Sequence, residues 1–287
     1  MNINIKIPKL KFRKIKMDTV ENLENIDYEK LMKENSKQKR TEPYEMYHYK
    51  TVKEFFTEAI QKYKDRPCIL EKTDHKEPYK TFTYERFGND VISLGTAMVK
   101  LLNLKDEKTI IIGETQYDWY ISYMALLCGA GIAVPTDREL PLNELENVVK
   151  RSRAKAIIYS PKKADDIKKI KEKIPEVEYF IEMKSNKPLE GKDVGINYLI
   201  ESGKKIIESG DNSFMEIEID PEEFKILLFT SGTTSNSKGV MLCNKNLAEN
   251  INAVSAYVKL YPTDRFFSVL PLHHTYESTI GFLLPIA

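Results

Sequence analysis

The sequence has few cysteines, no dominant sign of charge and few uninterrupted apolar runs. Its three cysteines have neither a C-x-x-C spacing nor a histidine cluster beside them, which argues against a disulfide framework and a zinc site. The 44 basic and 43 acidic residues nearly cancel, so no overall field favours nucleic acid as a partner. We therefore expect a cytoplasmic protein that acts on small molecules; its oligomeric state stays open.

One uncharged stretch, WYISYMALLCGAGIAV at residues 119–134, resembles a membrane segment in composition. It is shorter than the ~20 residues that a spanning helix needs, and Gly129 and Gly131 divide it. A buried helix that leads into a buried strand is the better prediction.

Residues 1–46 are polar and strongly charged, and their first sixteen positions contain six basic residues and no acidic one. Lysines and Pro8 interrupt the apolar core that a signal peptide requires. We predict a basic N-terminal arm over residues 1–46. Two interpretations stay open: a loose chain end, or an arm that contacts anionic lipid and gives a peripheral membrane association.

From Tyr47 onward helical and strand patterns alternate, which predicts a mostly parallel α/β sheet with helices on both faces. Phe87, Val91, Leu94, Met98 and Leu101 recur at helical spacing and predict one buried helix face. Short apolar runs predict strands at 109–113, 131–136, 154–160, 178–183 and 226–229. Polar residues 184–223 predict a boundary, so we divide the remainder into a first α/β subdomain at 47–215 and the start of a second at 216–287.

In the stretch ILLFTSGTTSNSKGV (226–240), small hydroxyl residues, a glycine and one lysine follow a short apolar run. Small residues allow backbone N–H groups to approach a ligand, hydroxyls add donors, and Lys238 adds a positive charge, which together favour a phosphate-binding loop. The spacing differs from G-x-x-x-x-G-K-[ST] because Gly239 follows Lys238. From composition alone, an exposed Ser/Thr-rich turn is an equal alternative.

The sequence of this loop resembles the phosphate-loop motif of the adenylate-forming (AMP-binding) superfamily, [YF]-T-S-G-[ST]-T-G-x-P-K-G-V. Two positions differ, because Ser235 replaces the usual glycine and Ser237 the usual proline. Upstream, DPEEFKILL resembles the family's lead-in, and we expect 220–223 to form a capped helical turn. Downstream, Cys243 and Asn244 stand where the family has Ser-His, and we expect Asn244 to cap the next helix. The matching loop positions are Thr230, Ser231, Gly232, Thr233, Thr234, Lys238, Gly239 and Val240.

The segment SVLPLHHTYE (268–277) resembles the family motif in which a strand ends at P-L-[FYH]-H beside the carboxylate substrate. His274 takes the motif position and His273 precedes it. The form L-P-L-H-H-x-Y-E is closer to long-chain fatty acyl-CoA synthetases than to the amino-acid-activating branch. The resemblance covers about 47–287 and implies a layered αβαβα fold and the N-terminal half of such a synthetase.

This resemblance implies an ATP-dependent ligase that activates a carboxylic acid as acyl-adenylate and transfers it to coenzyme A. It implies that the loop residues Thr230, Ser231, Gly232, Thr233, Thr234, Ser235 and Lys238 hold ATP and that Thr230 also holds Mg²⁺. It implies Lys238 and His274 as catalytic residues and His273, His274 and Tyr276 as residues that contact the acid. Alternatives are an aryl or amino-acid activator, or a non-catalytic nucleotide-binding remnant.

The resemblance also carries an expectation about the 287-residue chain by itself. The family's adenine, ribose and catalytic-lysine motifs have no counterpart in this sequence. We therefore expect weak ATP binding and no complete turnover from this chain alone. We also expect an exposed apolar edge near 282–286 that favours self-association.

Overall fold

The computed structural model describes residues 43–72, 76–230 and 238–287. Residues 1–42, most of the predicted arm, lie outside this set. Residues Glu45–Ala287 form one compact unit. The strands are β1 (Pro67–Glu71), β2 (Lys80–Thr83), β3 (Lys108–Ile112), β4 (Ile132–Thr136), β5 (Ala156–Tyr159), β6 (Tyr179–Glu182), β7 (Asp193–Gly195), β8 (Phe224–Thr230) and β9 (Lys238–Cys243). The helices are α1 (Val52–Lys62), α2 (Tyr84–Lys100), α3 (Tyr117–Ala125), α4 (Leu142–Ser152), α5 (Ala164–Lys173), α6 (Ile196–Glu208), α7 (Ser213–Glu216), α8 (Asn244–Ser255) and α9 (Leu284–Ile286), with π-helical turns at Leu126–Ala130 and Glu277–Leu283 and a 3₁₀ turn at Pro161–Lys163.

Seven strands form one mixed sheet in the order β7-β6-β5-β3-β4-β8-β9, and β1 and β2 form a separate antiparallel pair. All neighbours in the large sheet are parallel except β8 and β9. The chain leaves β3 for β4 on one side and then returns from β4 to β5 on the other side of β3. The connections that leave β3 and β5 run in opposite directions, so the strand order reverses between these two strands. Open α/β sheets bind ligands beside such a reversal, at the carboxyl ends of the strands.

Helices cover both faces of this sheet, as the alternation of helical and strand patterns along the sequence predicts. On β3, Ile111 joins the hydrophobic cluster that contains α1, α2, α3 and α6, whereas Ile110 and Ile112 join the cluster that contains α4 and α5. Because both faces are buried, the central strands read as continuous apolar runs rather than alternating ones. The predicted α/β class, with a mostly parallel sheet flanked by helices, is confirmed.

The predicted subdomain boundary at 215–216 stays a prediction. Strand β8 of the second predicted part pairs with β4 of the first, through Ala133 and Ile226.

The stretch 119–134 forms helix α3, a π-helical turn and buried strand β4, as expected. Among the described residues, no helix combines the length and the apolar character that a membrane span requires.

Helix α2 packs closely against α6 and α7, and one glycine lies at each of these contacts. A Cβ atom built on Gly203 would lie 1.8 Å from the backbone oxygen of Ser93, and one on Gly95 would lie 2.2 Å from the ring of Phe214. Both glycines are buried. The absence of a side chain at Gly203 therefore allows the close approach of α6 to α2, and the absence of one at Gly95 leaves room for the Phe214 ring of α7.

Three local expectations are wrong. Leu101 is 42% exposed, because α2 ends at Lys100 and Leu101 turns away from the buried face. Asn244 does not cap α8; Cys243 does, and its N–H donates to Asn246 Oδ1 at 2.9 Å. The stretch 220–223 is a hydrogen-bonded turn rather than a helical turn: Asp220 Oδ1 accepts from the Glu222 N–H and its carbonyl accepts from the Glu223 N–H.

The side chain of Asn244 instead joins three parts of the buried core. Its Oδ1 accepts from the Val52 N–H at 2.9 Å, and its Nδ2 donates to the Leu127 carbonyl at 3.2 Å. Asn244 is fully buried, so these bonds satisfy groups that would otherwise lack a partner. The residue therefore holds the start of α1 and the end of the α3 segment against α8.

The expected exposed apolar edge near 282–286 is also wrong. Phe282, Leu283, Leu284 and Ile286 are buried, and the Phe282 ring packs against other aromatic rings of the main core. Exposed apolar side chains occur instead in residues 257–276, where Phe267, Val269 and Tyr276 are 85%, 67% and 68% exposed, respectively.

The contact between α2 and α6 predicts that Gly203→Ala destabilises the protein. Overpacking a close contact costs about 1–3 kcal/mol, which exceeds the ~1 kcal/mol that alanine gains over glycine inside a helix. We expect the free energy of unfolding to fall by at least about 1 kcal/mol, measured by urea denaturation. Lys204→Ala, on an exposed position of the same helix, is the control and should change little. Equal stability of the two variants would contradict this packing.

Candidate functional site

The two ends of the predicted phosphate loop lie opposite each other in an antiparallel hairpin. Strand β8 ends at Thr230, β9 begins at Lys238, and these two residues are paired across the ladder. The Thr230 hydroxyl donates to the Lys238 carbonyl at 3.5 Å, and both residues are exposed. The hairpin therefore brings the first hydroxyl and the lysine of the motif to one end of the sheet.

The remaining loop positions lie outside the described residues. This applies to the predicted ATP-binding residues Ser231, Gly232, Thr233, Thr234 and Ser235, whose role stays a prediction. Their two anchors, Thr230 and Lys238, are described, and both stand at the carboxyl edge of the parallel strands.

The predicted Mg²⁺ ligand Thr230 fits a hard cation in part. Its hydroxyl oxygen is exposed, and Mg²⁺ prefers oxygen ligands. Across residues 43–72, 76–230 and 238–287, no group of three or more His, Cys, Asp or Glu side chains could hold a metal ion. A cation at Thr230 would thus take most of its ligands from phosphate oxygens and water, as Mg²⁺ commonly does beside nucleotides.

The histidine segment is a loop rather than the end of a strand. Residues 256–276, all of which the structure describes, contain no strand. The Ser268 hydroxyl donates to Glu277 Oε1 at 2.5 Å, and Glu277 is buried, so this hydrogen bond joins the two ends of the 268–277 loop. The histidines lie inside this closed loop. The expected strand is absent, and the hydrogen bond between Ser268 and Glu277 holds this segment in place of backbone hydrogen bonds to a neighbouring strand.

Within this loop the two imidazoles lie against each other. Their ring centroids are 4.1 Å apart with an interplanar angle of 42°, and His273 is half-buried whereas His274 is exposed. The His274 carbonyl accepts from the Ser278 N–H at 3.0 Å, so the pair lies just before the helical turns that close the chain. Tyr276, the third residue predicted to contact the acid, is 68% exposed.

A residue that the sequence analysis missed faces this histidine pair. Asp137 directly follows β4, and its Oδ2 lies 3.8 Å from His273 Nε2. Burial lowers the pKa of His273, as do the charges of His274 and Arg138, while Asp137 raises it. The position of Asp137 directly after the carboxyl end of a parallel strand was the signal that could have identified it.

The arrangement is typical of α/β enzymes that bind nucleotides at the carboxyl edge of a sheet. A family model described as "AMP-binding enzyme" matches residues 56–287. The chain belongs to this family. The predicted membership of the adenylate-forming (AMP-binding) superfamily is confirmed.

Curated relatives include fatty-acid ligases at low identity. The chain is 26% identical over 249 residues to the chloroplast long-chain-fatty-acid–[acyl-carrier-protein] ligase AEE15 of Arabidopsis thaliana, covering 82% of this chain and 34% of that protein. It is 26% identical over 248 residues to the long-chain-fatty-acid–CoA ligase 5 of Mus musculus, covering 82% and 36%. The chain thus spans about a third of the length of these relatives.

Solved structures share the fold. A long-chain-fatty-acid–CoA ligase of Archaeoglobus fulgidus matches with a TM-score of 0.70 and 20% identity, covering 87% of this chain and 47% of that one. The anthranilate CoA ligase AuaEII in complex with anthranoyl-AMP matches with a TM-score of 0.69 and 19% identity, covering 85% and 44%. At these identities the likeness shows the fold alone, and it agrees with the predicted N-terminal half of an adenylate-forming enzyme.

The surroundings of His273 predict its titration. Because burial opposes the charged form, we expect its midpoint to lie below the ordinary value of about 6.5 for histidine. The sequence contains four histidines, so ¹H–¹⁵N spectra of the imidazoles, assigned with His273→Gln, can follow each one across pH. A His273 midpoint at or above the ordinary value would contradict the burial seen here.

Proposed function

We propose that the protein is an ATP-dependent acid–thiol ligase that activates a long-chain fatty acid and transfers it to coenzyme A. The observation that carries the proposal is the pairing of Thr230 with Lys238 at the carboxyl edge of the sheet, in a chain of the AMP-binding enzyme family. The names of the curated relatives in Arabidopsis and mouse support a fatty acid as substrate.

In the proposed first step a carboxylate oxygen of the acid attacks the α-phosphorus of ATP. The bond from that phosphorus to the bridging oxygen breaks, and pyrophosphate leaves as a strongly anionic group. The contribution of the protein is to position the two substrates and neutralise charge. Lys238 and the loop hydroxyls would bind the β- and γ-phosphates, and Mg²⁺ at Thr230 would supply further positive charge.

In the second step a thiol sulfur attacks the acyl carbonyl, AMP leaves and the thiol gives up its proton. The first step places the acid next to the α-phosphorus, so its carboxylate needs polar groups close to the loop. His273, His274 and Tyr276 are the proposed contacts, because the first two form a pair beside Asp137 and all three precede the final helical turns. Coenzyme A is the proposed thiol; the Arabidopsis relative is named for an acyl-carrier-protein acceptor, so that thiol belongs in the same assay.

Exchange of labelled pyrophosphate into ATP tests the acid specificity. We expect acid-dependent exchange with long-chain fatty acids and none when acid or Mg²⁺ is omitted. The assay should use this chain and any longer product that its gene encodes, because we propose weak ATP binding and no complete turnover for the 287 residues alone. Exchange only with aryl or amino acids would identify the alternative activator.

The same assay separates the ligase from a non-catalytic remnant. A gene product that ends after codon 287 and shows no exchange with any acid would favour the remnant and contradict the proposal. A longer product that exchanges with fatty acids would support the ligase. Product analysis with coenzyme A or an acyl carrier protein then identifies the acceptor.

Replacing Lys238 tests the role of the loop. We expect Lys238→Ala to slow adenylation about ten- to hundred-fold, because one charge-assisted contact contributes roughly 1.5–3 kcal/mol. The exposed position of Lys238 predicts an unchanged circular dichroism spectrum and thermal midpoint. Lys168→Ala, which removes the same charge from an exposed position of α5, is the matched control. Equal exchange rates in the two variants would show that the loop is only a solvated turn.

A further inference from the structure

We propose that Asp137 is a positioning residue of this site, which orients His273 and thereby sets how the histidine pair meets the carboxylate of the acid. The role in acid binding rests on the proposed ligase function, whereas the coupling between Asp137 and His273 can be measured without it. Asp137 lies outside the phosphate-loop motif and outside the motif at 268–277.

The first argument is the orientation of the Asp137 carboxylate. Its Oδ1 accepts from the Glu139 N–H at 2.9 Å, which fixes the side chain in a turn just after β4. The other oxygen, Oδ2, faces His273 Nε2 at 3.8 Å. One oxygen therefore anchors the carboxylate to its own backbone while the other faces the imidazole.

The second argument is the position of Asp137 in the sheet. Ala133 on β4 pairs with Ile226 on the parallel strand β8. Counting four residues onward along each strand brings Asp137 level with Thr230, the first residue of the phosphate-loop motif. Neighbouring strands lie about 4.8 Å apart, so this register puts the backbones of Asp137 and Thr230 side by side at the carboxyl edge of the sheet.

The third argument concerns the charges around His273. The charged groups that face it are Asp137 and Arg138 from the segment after β4, and His274 from its own loop. The negative charge of Asp137 favours a proton on the facing nitrogen Nε2, while burial and the two other groups oppose a positive charge. Asp137 thus offsets the unfavourable surroundings and favours the doubly protonated form of His273, in which Nε2–H faces Asp137 and Nδ1–H is left to donate to a carboxylate substrate.

Imidazole titration in Asp137→Asn, Asp137→Glu and the control Asp165→Asn tests the coupling. The control removes one carboxylate charge from an exposed position of α5. We expect the His273 midpoint to move to lower pH in Asp137→Asn, because the charge that favours protonation is lost. It should return toward the wild-type midpoint in Asp137→Glu and stay unchanged in Asp165→Asn. A His273 midpoint that is the same in Asp137→Asn and in the wild type, with the fold intact by circular dichroism, would overturn the proposal.

The acid-binding role has a separate kinetic measurement. In the pyrophosphate-exchange assay we expect Asp137→Asn to raise KM for the fatty acid several-fold and leave KM for ATP unchanged, with the larger effect at higher pH, where the lowered pKa of His273 in the variant leaves less of the doubly protonated form. Equal changes in both KM values, or none, would overturn this role. A wild-type protein without exchange for any acid would instead contradict the proposed ligase, whereas the titration would still decide whether Asp137 controls His273.

Discussion

The pairing of β8 with β4 is the constraint on which the candidate site depends. Through it, the hairpin that carries Thr230 and Lys238 joins the parallel sheet beside β4, the strand that Asp137 directly follows. The pairing is short, yet the strands on either side fix it, because β3 supports β4 and β9 supports β8. A shift of one residue would exchange the two faces of β8 and remove Ile226 and Leu227 from the clusters that now contain them. The register between β4 and β8 therefore determines where Thr230 and Lys238 lie relative to Asp137.

The hairpin also separates the position of the loop from its internal shape. The hydrogen bonds between β8 and β9 hold Thr230 and Lys238 opposite each other. Ser235 and Ser237, which replace the glycine and the proline of the motif, lie within that interval. They change the local conformational preferences of the loop, since glycine eases positive φ and proline fixes φ. Their consequences are thus confined to loop conformation and leave the anchors in place.

Sequence patterns predicted the sheet well and the loops poorly, for a physical reason. The apolar runs of β3 to β6 reflect burial on both faces, which a one-dimensional pattern records directly. The loop at 268–277 depends on the hydrogen bond between Ser268 and Glu277, which periodicity does not record. Asn244 illustrates the same limit, because its partners Val52 and Leu127 lie far away in sequence. Asp137 was missed because its role depends on which strands are neighbours.

The long-range bonds at the N-terminal end have a consequence for the order of synthesis. Tyr47, Tyr49 and Val52 donate their N–H groups to side chains that lie 208, 203 and 192 residues later. At about 5–20 residues per second, a ribosome takes on the order of 10–40 s to complete that interval. Helix α1 is therefore among the first elements made, whereas the hydrogen bonds that hold its N-terminal end are among the last that can form. The Phe56 ring meets Phe87 of α2 much sooner, so the apolar packing of α1 can begin long before its N-terminal hydrogen bonds can form.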